Sequence, residues 1–206
     1  NTWETASNEI IKEGIYSHFA NSDSNKNELN KIQLDRFINI TKNQSMIKHF
    51  ANSDAISNIK GCEFDLIRIG FKAYNNSFKL TAPVIHLQQV KKGTSIGYGS
   101  TYISNEDCTI GVVGIGYADG VPSQLSNVGY VSINNIKCQI IGRICMDMFM
   151  IKYPKNLSPE VNQTATIFSD GSNNGMTIVE AAELSGVNPR EIMVRFSNRI
   201  KRIYSN

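Results

Sequence analysis

The apolar residues of this chain change their spacing at Asn75-Asn76-Ser77. Before this point, short apolar runs alternate with stretches that carry apolar residues at helical spacing. After it, short apolar runs follow one another with turn residues between them. Alternating strands and helices favour a parallel sheet with crossover helices, whereas closely spaced strands favour an all-β fold. The sequence therefore predicts two domains, an α/β domain at residues 1–76 and an all-β domain at residues 77–206.

The first domain is predicted to contain three parallel strands with crossover helices. The strands are expected at residues 13–20, 46–51 and 64–70. A helix is expected at residues 26–41, because apolar residues recur there at near-helical spacing: Leu29, Ile32, Leu34, Phe37, Ile38 and Ile40. Asn52-Ser53-Asp54 is predicted to open a second, short helix. Three strands alone leave an unpaired edge on both sides of a sheet.

The second domain is predicted to be a small β-barrel. Strands are expected at residues 84–90, 108–115, 129–133, 138–141, 146–151 and 164–168. Turn signals lie between them, at Lys92-Gly93, Asn134-Asn135 and Asp170-Gly171. A helix is expected at residues 177–186, with Thr177 as its N-cap, Glu180 completing a capping box and Gly186 ending it.

Composition and charge exclude several classes of protein. The chain has 206 residues, of which 41% are hydrophobic and 19% charged, as in a globular protein with one good core or two small ones. A net charge of +3 is too small to indicate nucleic acid binding, and the basic segment Arg199-Ile200-Lys201-Arg202 is expected to be solvated. No apolar run approaches the ~20 residues that cross a bilayer, and no secretion leader is recognisable. We therefore expect a cytoplasmic protein, attached to a membrane only if a transmembrane part precedes it.

The four cysteines are expected to be reduced thiols. Cys62, Cys108, Cys138 and Cys145 form no Cys-x-x-Cys pair, so neither zinc spacing nor a disulfide scaffold is indicated. No metal site is predicted. Cys145 is interpreted as a small packing residue, because no catalytic His and Asp pattern accompanies it in the sequence.

Three motifs point to chemistry when they are taken together. They are Ile96-Gly97-Tyr98-Gly99-Ser100-Thr101-Tyr102, Gly114-Ile115-Gly116-Tyr117-Ala118-Asp119-Gly120 and Gly142-Arg143-Ile144-Cys145-Met146-Asp147. Each one alone is compatible with an ordinary tight turn between strands. In this order and at this spacing, they resemble the carboxy-terminal half of alanine racemases, which use pyridoxal 5′-phosphate (PLP) to interconvert L- and D-alanine. The resemblance covers nearly all of residues 14–204.

The resemblance implies the last three βα units of a TIM-type (β/α)8 barrel, followed by a carboxy-terminal β-barrel domain. No segment of the sequence resembles the first five barrel units or the family's motif for the lysine that carries PLP. Either the chain is a fragment, or another polypeptide supplies the remainder. We expect the chain alone to be inactive.

The resemblance also implies roles for individual residues. Tyr98 matches the catalytic base, which the family uses on one face of the substrate. A phenol is a weak base at neutral pH unless its anion is stabilised, and a relay of Tyr98, His18 and Arg68 would bring positive charge toward it. The alternative is that Tyr98 only packs against the β-barrel at the end of a strand.

The implied cofactor residues lie at the carboxyl ends of the three strands, where barrel enzymes hold their functional groups. They are His18, Asn52, Ser53, Arg68, Gly70 and Phe71. In the family, the serine holds the phosphate and the arginine contacts the pyridine nitrogen, which a guanidinium cannot protonate. For Gly70, a simple strand end is the alternative to an anion-binding backbone amide.

Tyr117 and Met146 match residues that shape the substrate pocket. Arg143 and Asp147 are expected either to line its entry path or to form a buried ion pair in the β-domain. The resemblance further implies a homodimer in which the β-domain of one subunit completes the active site of the other. In the family, the D-alanine that is made supplies cell-wall peptidoglycan.

Two departures leave the substrate open. Met148 stands where the family usually has Gln, and Arg190, beside Pro189, stands where a phosphate-binding tyrosine is expected. Related serine/alanine racemases of glycopeptide resistance change that tyrosine. The alternatives to an alanine racemase are therefore a serine racemase of the same fold, or a non-catalytic PLP-binding or dimerisation module.

Overall fold

The computed structural model describes residues 11–24 and 28–204, and the chain divides into two compact units between Ala73 and Tyr74. Residues 26 and 27, at which the first predicted helix begins, lie outside the described residues. Within the part of the chain that is described, none of the helices has the length and apolar character needed to cross a membrane.

The first unit is built on a three-stranded parallel sheet of order β1-β2-β3. Its elements, in chain order, are β1 (Gly14–Tyr16), α1 (Glu28–Thr41), β2 (Ile47–Asn52), α2 (Ser53–Asn58), β3 (Leu66–Arg68) and α3 (Phe71–Tyr74). Tyr16 lies beside His49 in the register of β1 and β2, and Asn52 lies beside Arg68 in that of β2 and β3. The parallel βα arrangement expected from the sequence is confirmed.

An aromatic cluster forms the core of the first unit. The ring of Phe50, on the central strand, stacks on Phe19 at 3.9 Å and on Phe37 of α1 at 4.7 Å between centroids. The buried face of α1 consists of Asn30, Leu34, Phe37 and Thr41, at 4-3-4 spacing. Of the other apolar residues that indicated the helix, Leu29, Ile32, Ile38 and Ile40 are exposed.

Polar residues can occupy both ends of this buried face because their side chains are satisfied by nearby backbone groups. The Nδ2 group of Asn30 donates to the carbonyl oxygens of Asn21 and Ser24 at 2.9 and 2.8 Å. The hydroxyl of Thr41 donates to the carbonyl oxygen of Phe37 at 2.8 Å. A buried polar group that is hydrogen-bonded costs little, so the helix stays in place with only two large apolar residues in its buried face.

The second unit is a closed antiparallel barrel of order β10-β7-β4-β11-β8-β9, which confirms the predicted barrel. Its strands are β4 (Leu80–Val90), β7 (Cys108–Val113), β8 (Tyr130–Ile133), β9 (Ile136–Ile141), β10 (Phe149–Lys152) and β11 (Thr164–Phe168). A hairpin of β5 (Ser95–Ile96) and β6 (Tyr102–Ile103) forms a separate two-stranded sheet, which the sequence did not predict. Closure leaves no unpaired barrel edge, and alternate side chains fill the interior. Val113, Val131, Ile140, Phe149, Ile151 and Ile167 are among those fully buried.

Two helices follow the barrel, α4 (Ile178–Ser185) and α5 (Pro189–Val194). Thr177 caps α4 as predicted, and Gly186 ends it in a left-handed conformation. The predicted capping box is only half formed. The backbone N–H of Glu180 donates to the Thr177 hydroxyl at 3.1 Å, but the Glu180 carboxylate accepts from the Tyr130 hydroxyl at 2.7 Å. This carboxylate therefore ties α4 to the barrel instead of closing the cap.

Candidate active site

A polar cluster lies at the carboxyl ends of β2 and β3. The Oδ1 atom of Asn52 accepts the N–H groups of Asp54 and Ala55 at 3.1 and 2.9 Å, and its Nδ2 group donates to the Ser22 hydroxyl at 2.8 Å. Asn52 thus caps α2, as its position after a strand predicted. Both ends of the Asn52 amide are therefore hydrogen-bonded, and they hold the start of α2, whose first residue is Ser53.

Ser53, Arg68 and Gly70 are brought together by this arrangement. The buried hydroxyl of Ser53 accepts the N–H of Gly70 at 2.7 Å. A Cβ atom on Gly70 would lie 2.6 Å from Nη1 of Arg68 and 3.6 Å from Oγ of Ser53. The absence of a side chain at Gly70 therefore leaves room for the guanidinium beside the backbone amide, so that a cation, a hydroxyl and an N–H share one small space.

This donor set fits an anionic cofactor group such as a phosphate. A hydroxyl and a backbone N–H are groups that proteins use to hold phosphate oxygens, and the guanidinium of Arg68 adds positive charge beside them. Phe71 directly follows Gly70 and opens α3. His18 is exposed and follows the last residue of β1 by two positions, at the same edge of the sheet. No hydrogen bond links His18 to Ser53, Arg68 or Gly70 among the described residues.

His49 is a further candidate that the sequence analysis missed. It lies half-buried on the central strand, with its ring 6.3 Å from that of Tyr16 in an edge-to-face arrangement. Its Nε2 atom is buried and has no hydrogen-bond partner among the described residues. A buried ring nitrogen normally finds a partner, so the position suits a polar contact with a further group. In the sequence, His49 could have been noticed as a polar residue within an apolar strand.

Tyr98 lies on the loop of the β5–β6 hairpin. Gly97, Gly99 and Ser100 all have positive φ angles, of 76°, 72° and 49°, and Tyr98 itself is 74% exposed. Glycine adopts such angles without strain, so the two glycines allow this tight loop, and Ser100 is its one non-glycine residue at positive φ. The loop presents the phenol to solvent, and this argues against the alternative that Tyr98 packs against the barrel.

Arg143 and Met150 lie under this loop. A Cβ atom on Gly97 would be 2.9 Å from the Met150 methyl group, and one on Gly99 would be 3.5 Å from the Arg143 guanidinium. Tyr98 also borders a groove of about 500 Å³, which is lined largely by apolar residues and includes Cys145, Met148 and Met150. The base candidate therefore borders a largely apolar groove, and Gly99, the next residue, lies close to a guanidinium.

Tyr117 and Met146 belong to two segments that the backbone joins directly. The N–H of Tyr117 donates to the carbonyl oxygen of Cys145 at 3.0 Å, and the N–H of Ala118 donates to that of Met146 at 3.0 Å. Both Tyr117 and Met146 are about half exposed. The structure thus brings together the two residues that were predicted to shape a substrate pocket.

The expected ion pair between Arg143 and Asp147 does not form among the described residues, so that alternative is wrong. Oδ1 of Asp147 instead lies 2.6 Å from Nη2 of Arg199, whose Nε lies 3.3 Å from Oδ1 of Asp119. Arg199, Lys201 and Arg202 are exposed, as expected for a solvated segment, but Arg199 also pairs with these two carboxylates. The planar guanidinium of an arginine can bind two carboxylates at once. The expected pair of Arg143 and Asp147 was based on their closeness in the sequence, which does not indicate this distant contact.

All four cysteines are free thiols. Burial raises the pKa of Cys145, and it raises that of Cys138 to about 11. A thiol that stays protonated at neutral pH is a poor nucleophile, which supports the interpretation of Cys145 as a packing residue. No cluster of His, Cys, Asp or Glu suited to a metal ion occurs among the residues described.

Arg190 lies in the first turn of α5, where the sequence comparison with the family had placed a departure from a phosphate-binding tyrosine. Asn188 caps this helix by accepting the N–H of Arg190 at 2.9 Å, and Pro189 occupies its first turn. Pro189 suits that position, because the backbone N–H that proline lacks would have no hydrogen-bond partner within the helix. The segment is thus a regular helix start.

The two units together are the last three βα units of a TIM-type barrel and the antiparallel β-barrel domain that follows them. The model of the N-terminal domain of alanine racemases matches residues 3–77, and the model of their C-terminal domain matches residues 77–204. The chain belongs to the alanine racemase family.

Relatives and solved structures agree with this assignment. The alanine racemase of Fusobacterium nucleatum is 33% identical over 211 residues, which cover 92% of this chain and 57% of that protein. Among solved structures, alanine racemase from Streptomyces coelicolor A3(2) superposes with a TM-score of 0.88 at 30% identity, covering 94% of this chain and 56% of the other. Alanine racemase from Bartonella henselae with covalently bound pyridoxal phosphate gives 0.84 at 27% identity, with the same coverage.

The chain spans 55 to 58% of the length of the curated relatives that it matches.

Proposed function

We propose that the protein containing this chain is a PLP-dependent racemase that interconverts L- and D-alanine. The observation that carries the proposal is Tyr98, an exposed phenol between two glycines at positive φ, on a loop that packs against Arg143. Alanine racemases from several bacteria are similar to this chain in sequence, and one of them has been shown to share its fold at a TM-score of 0.88. The D-alanine produced would supply peptidoglycan synthesis, and the free thiols are compatible with a place in the cytoplasm.

The cofactor would be held by residues 1–76. The Ser53 hydroxyl would donate to its phosphate. The Gly70 N–H, which donates to the Ser53 hydroxyl in this structure, and the amide of Phe71 would be the further donors to it. Asn52 would hold Ser53 in place, His18 would lie against the ring, and Arg68 would approach the ring nitrogen. When bound, PLP acidifies the α-proton of an amino acid by withdrawing electrons into its ring. A guanidinium would donate a hydrogen bond to the ring nitrogen without protonating it.

Residues 77–206 would supply the base and shape the pocket. Tyr98 would take the α-proton on one face of the substrate, and a second base would act on the other face. Met146 and Tyr117 would bound the substrate side chain, and the hydrogen bonds of residues 117 and 118 to the loop at 145–146 would set the distance between them. A thioether and a phenol leave room for a small side chain.

The active sites would be shared between the subunits of a homodimer. Tyr98 and Met146 of one subunit would meet the cofactor residues of the other, because a β-domain that reaches over a barrel mouth completes a site which the barrel alone leaves open. Closed two-fold dimers are the commonest oligomers and repeat such a contact twice.

Serine is the second candidate substrate. The observation that favours it is the replacement of an expected tyrosine by Arg190 at the start of α5. A tyrosine there would limit the size of the pocket, so its replacement would admit a larger, polar side chain. Measuring kcat/KM for alanine and serine with the same preparation decides between them.

The test of the base is Tyr98→Phe in the protein that contains this chain. Deuterium incorporation from heavy water is followed separately for L- and D-alanine. Loss of a general base costs about 10²- to 10⁴-fold, so exchange of one enantiomer, expected to be L-alanine, should fall by this factor. D-alanine, whose α-proton would face the second base, should exchange far faster.

Tyr102→Phe is the matched control, because Tyr102 lies on β6 of the same hairpin and is half-buried. It should leave both exchange rates near those of the wild type. Equal slowing of the two enantiomers by Tyr98→Phe would show that Tyr98 shapes the pocket and does not move the proton. Absence of racemisation by the wild type with either alanine or serine would contradict the proposed function itself.

A further inference from the structure

Arg199 bridges two acidic residues that lie far from it in the sequence. Its Nη2 atom is 2.6 Å from Oδ1 of Asp147, and its Nε atom is 3.3 Å from Oδ1 of Asp119. The side chain of Asp119 is only 10% exposed, whereas those of Arg199 and Asp147 are about half exposed. One guanidinium thus connects a buried carboxylate with a surface carboxylate.

Each of these carboxylates belongs to a segment of the candidate active site. Asp119 ends the turn that carries Tyr117, and its Oδ2 atom accepts the N–H of Gly116 at 3.0 Å, so that the carboxylate spans the turn. Asp147 directly follows Met146 in the neighbouring loop. The contact with Arg199 therefore connects the two segments through side chains, in addition to their backbone hydrogen bonds.

The segment before Arg199 is itself held against the turn. The N–H of Ser197 donates to the carbonyl oxygen of Asp119 at 3.3 Å. Gly120 approaches the backbone of Arg195 so closely that a Cβ atom on it would lie 2.8 Å from the Arg195 carbonyl oxygen. The guanidinium is thus delivered to the two carboxylates from a backbone that is already anchored, which lowers the entropic cost of ordering a long side chain.

We propose that Arg199 is a positioning residue for the substrate pocket, which fixes the loop of Met146 and Asp147 relative to the turn of Tyr117. This proposal rests on the proposed racemase function, because only then do Tyr117 and Met146 contact a substrate. Arg199 itself contacts neither the base nor the phosphate cluster among the described residues. Its effect is expected on the binding of the amino acid, through the spacing of the two segments.

The test uses Arg199→Gln in the protein that contains this chain, with Arg202→Gln as the matched control. Arg202 lies three residues later, is exposed, and donates to the carbonyl oxygen of Phe196 at 3.3 Å. Loss of this partly exposed ion-pair bridge should raise KM for L-alanine about three- to tenfold while kcat changes less than about twofold. The reason is that the variant would bind the substrate and the transition state less tightly by the same amount. Arg199→Lys, which keeps the charge but loses the fork, should recover part of KM.

A second readout reports the position of the loop without relying on activity. Cys145 lies in the loop, partly buried, and its carbonyl oxygen accepts the Tyr117 N–H. Its rate of modification by N-ethylmaleimide, measured by mass spectrometry, should rise about threefold or more in Arg199→Gln if local opening becomes easier. The rate at the buried Cys138 should remain unchanged and serves as the internal reference.

The outcomes separate the two proposals. If KM and the Cys145 rate in Arg199→Gln both match those of Arg202→Gln, the positioning role is overturned. It is also overturned if only the thermal midpoint falls, because a purely structural role predicts that result. If the wild type racemises nothing, the proposed function fails, and the Cys145 rate alone then decides whether Arg199 fixes the loop.

Discussion

Gly116→Ala should separate the two segments that carry Tyr117 and Met146. A Cβ atom at this position would lie 2.3 Å from the carbonyl oxygen of Cys145 and 2.4 Å from that of Met146. Both neighbours are backbone atoms, which cannot rotate away as a side chain can. Since nonbonded heavy atoms settle at about 3.5 Å, the turn would have to move by about 1 Å.

That movement has a cost that follows from the contacts. The hydrogen bonds from residues 117 and 118 to this loop are 3.0 Å long and would stretch to about 4 Å, beyond the range of a good hydrogen bond. Two lost bonds cost about 1 kcal/mol each, and forcing a methyl group into a packed site adds at least about 1 kcal/mol. We expect a loss of about 3 kcal/mol in the free energy of unfolding, or roughly 6 to 12 °C in the thermal midpoint.

Gly114→Ala in the same motif provides the matched control. There a Cβ atom would meet the Cγ2 atom of Ile85 at 3.0 Å, and this side chain is half exposed and able to turn away. Its cost should stay below about 1 kcal/mol. Urea and thermal unfolding, together with KM for alanine, measure both variants. If Gly116→Ala unfolds like Gly114→Ala and keeps the wild-type KM, the close backbone contact does not determine the pocket.

Two further predictions concern assembly and alkaline stability. Mixing a Tyr98→Phe protein with an Arg68→Ala protein should restore about a quarter of the wild-type sites, because one site of each mixed dimer contains neither substitution; mixed dimers without activity would refute the shared site. Burial raises the pKa of the Cys138 thiol to about 11, so this thiol ionises at a lower pH in the unfolded chain than in the folded one. Its contribution to the free energy of unfolding is therefore fully present below about pH 8 and should fall by about 2 to 3 kcal/mol towards pH 11. Urea midpoints between pH 8 and 11 should show a shallower decline in Cys138→Ala, and an identical decline would contradict the assignment.

Features set by neighbouring residues were predictable from the sequence. Thr177 and Gly186 delimit α4 as expected, since a cap depends on residues within one turn. Asn134 and Asn135 form the turn between β8 and β9, both with positive φ, as an Asn-Asn pair between two apolar runs indicates. The helix α5 was missed because six residues are too few for a periodic pattern, although Asn188 and Pro189 carried its start signal.

Features set by distant residues were not predictable in the same way. The choice between Arg143 and Arg199 as the partner of Asp147 depends on how the barrel closes, and Arg199 lies 52 residues away. The buried face of α1 was not predictable for a related reason: Asn30 and Thr41 are buried because backbone carbonyls accept from them. Apolar periodicity alone does not contain this information.

The glycines of the second motif show how a local string encodes a distant contact. Gly116 has an extended backbone that any residue can adopt, so no turn requires glycine there. Its requirement comes from the carbonyl oxygens of Cys145 and Met146, which approach where a side chain would stand. The second and third motifs therefore pack directly against each other, because Gly116 has no side chain and leaves room for the loop that carries Met146. Asp119 and Asp147 then bind the same guanidinium, so the proposed pocket residues Tyr117 and Met146 are held by contacts of residues one or two positions away in the sequence.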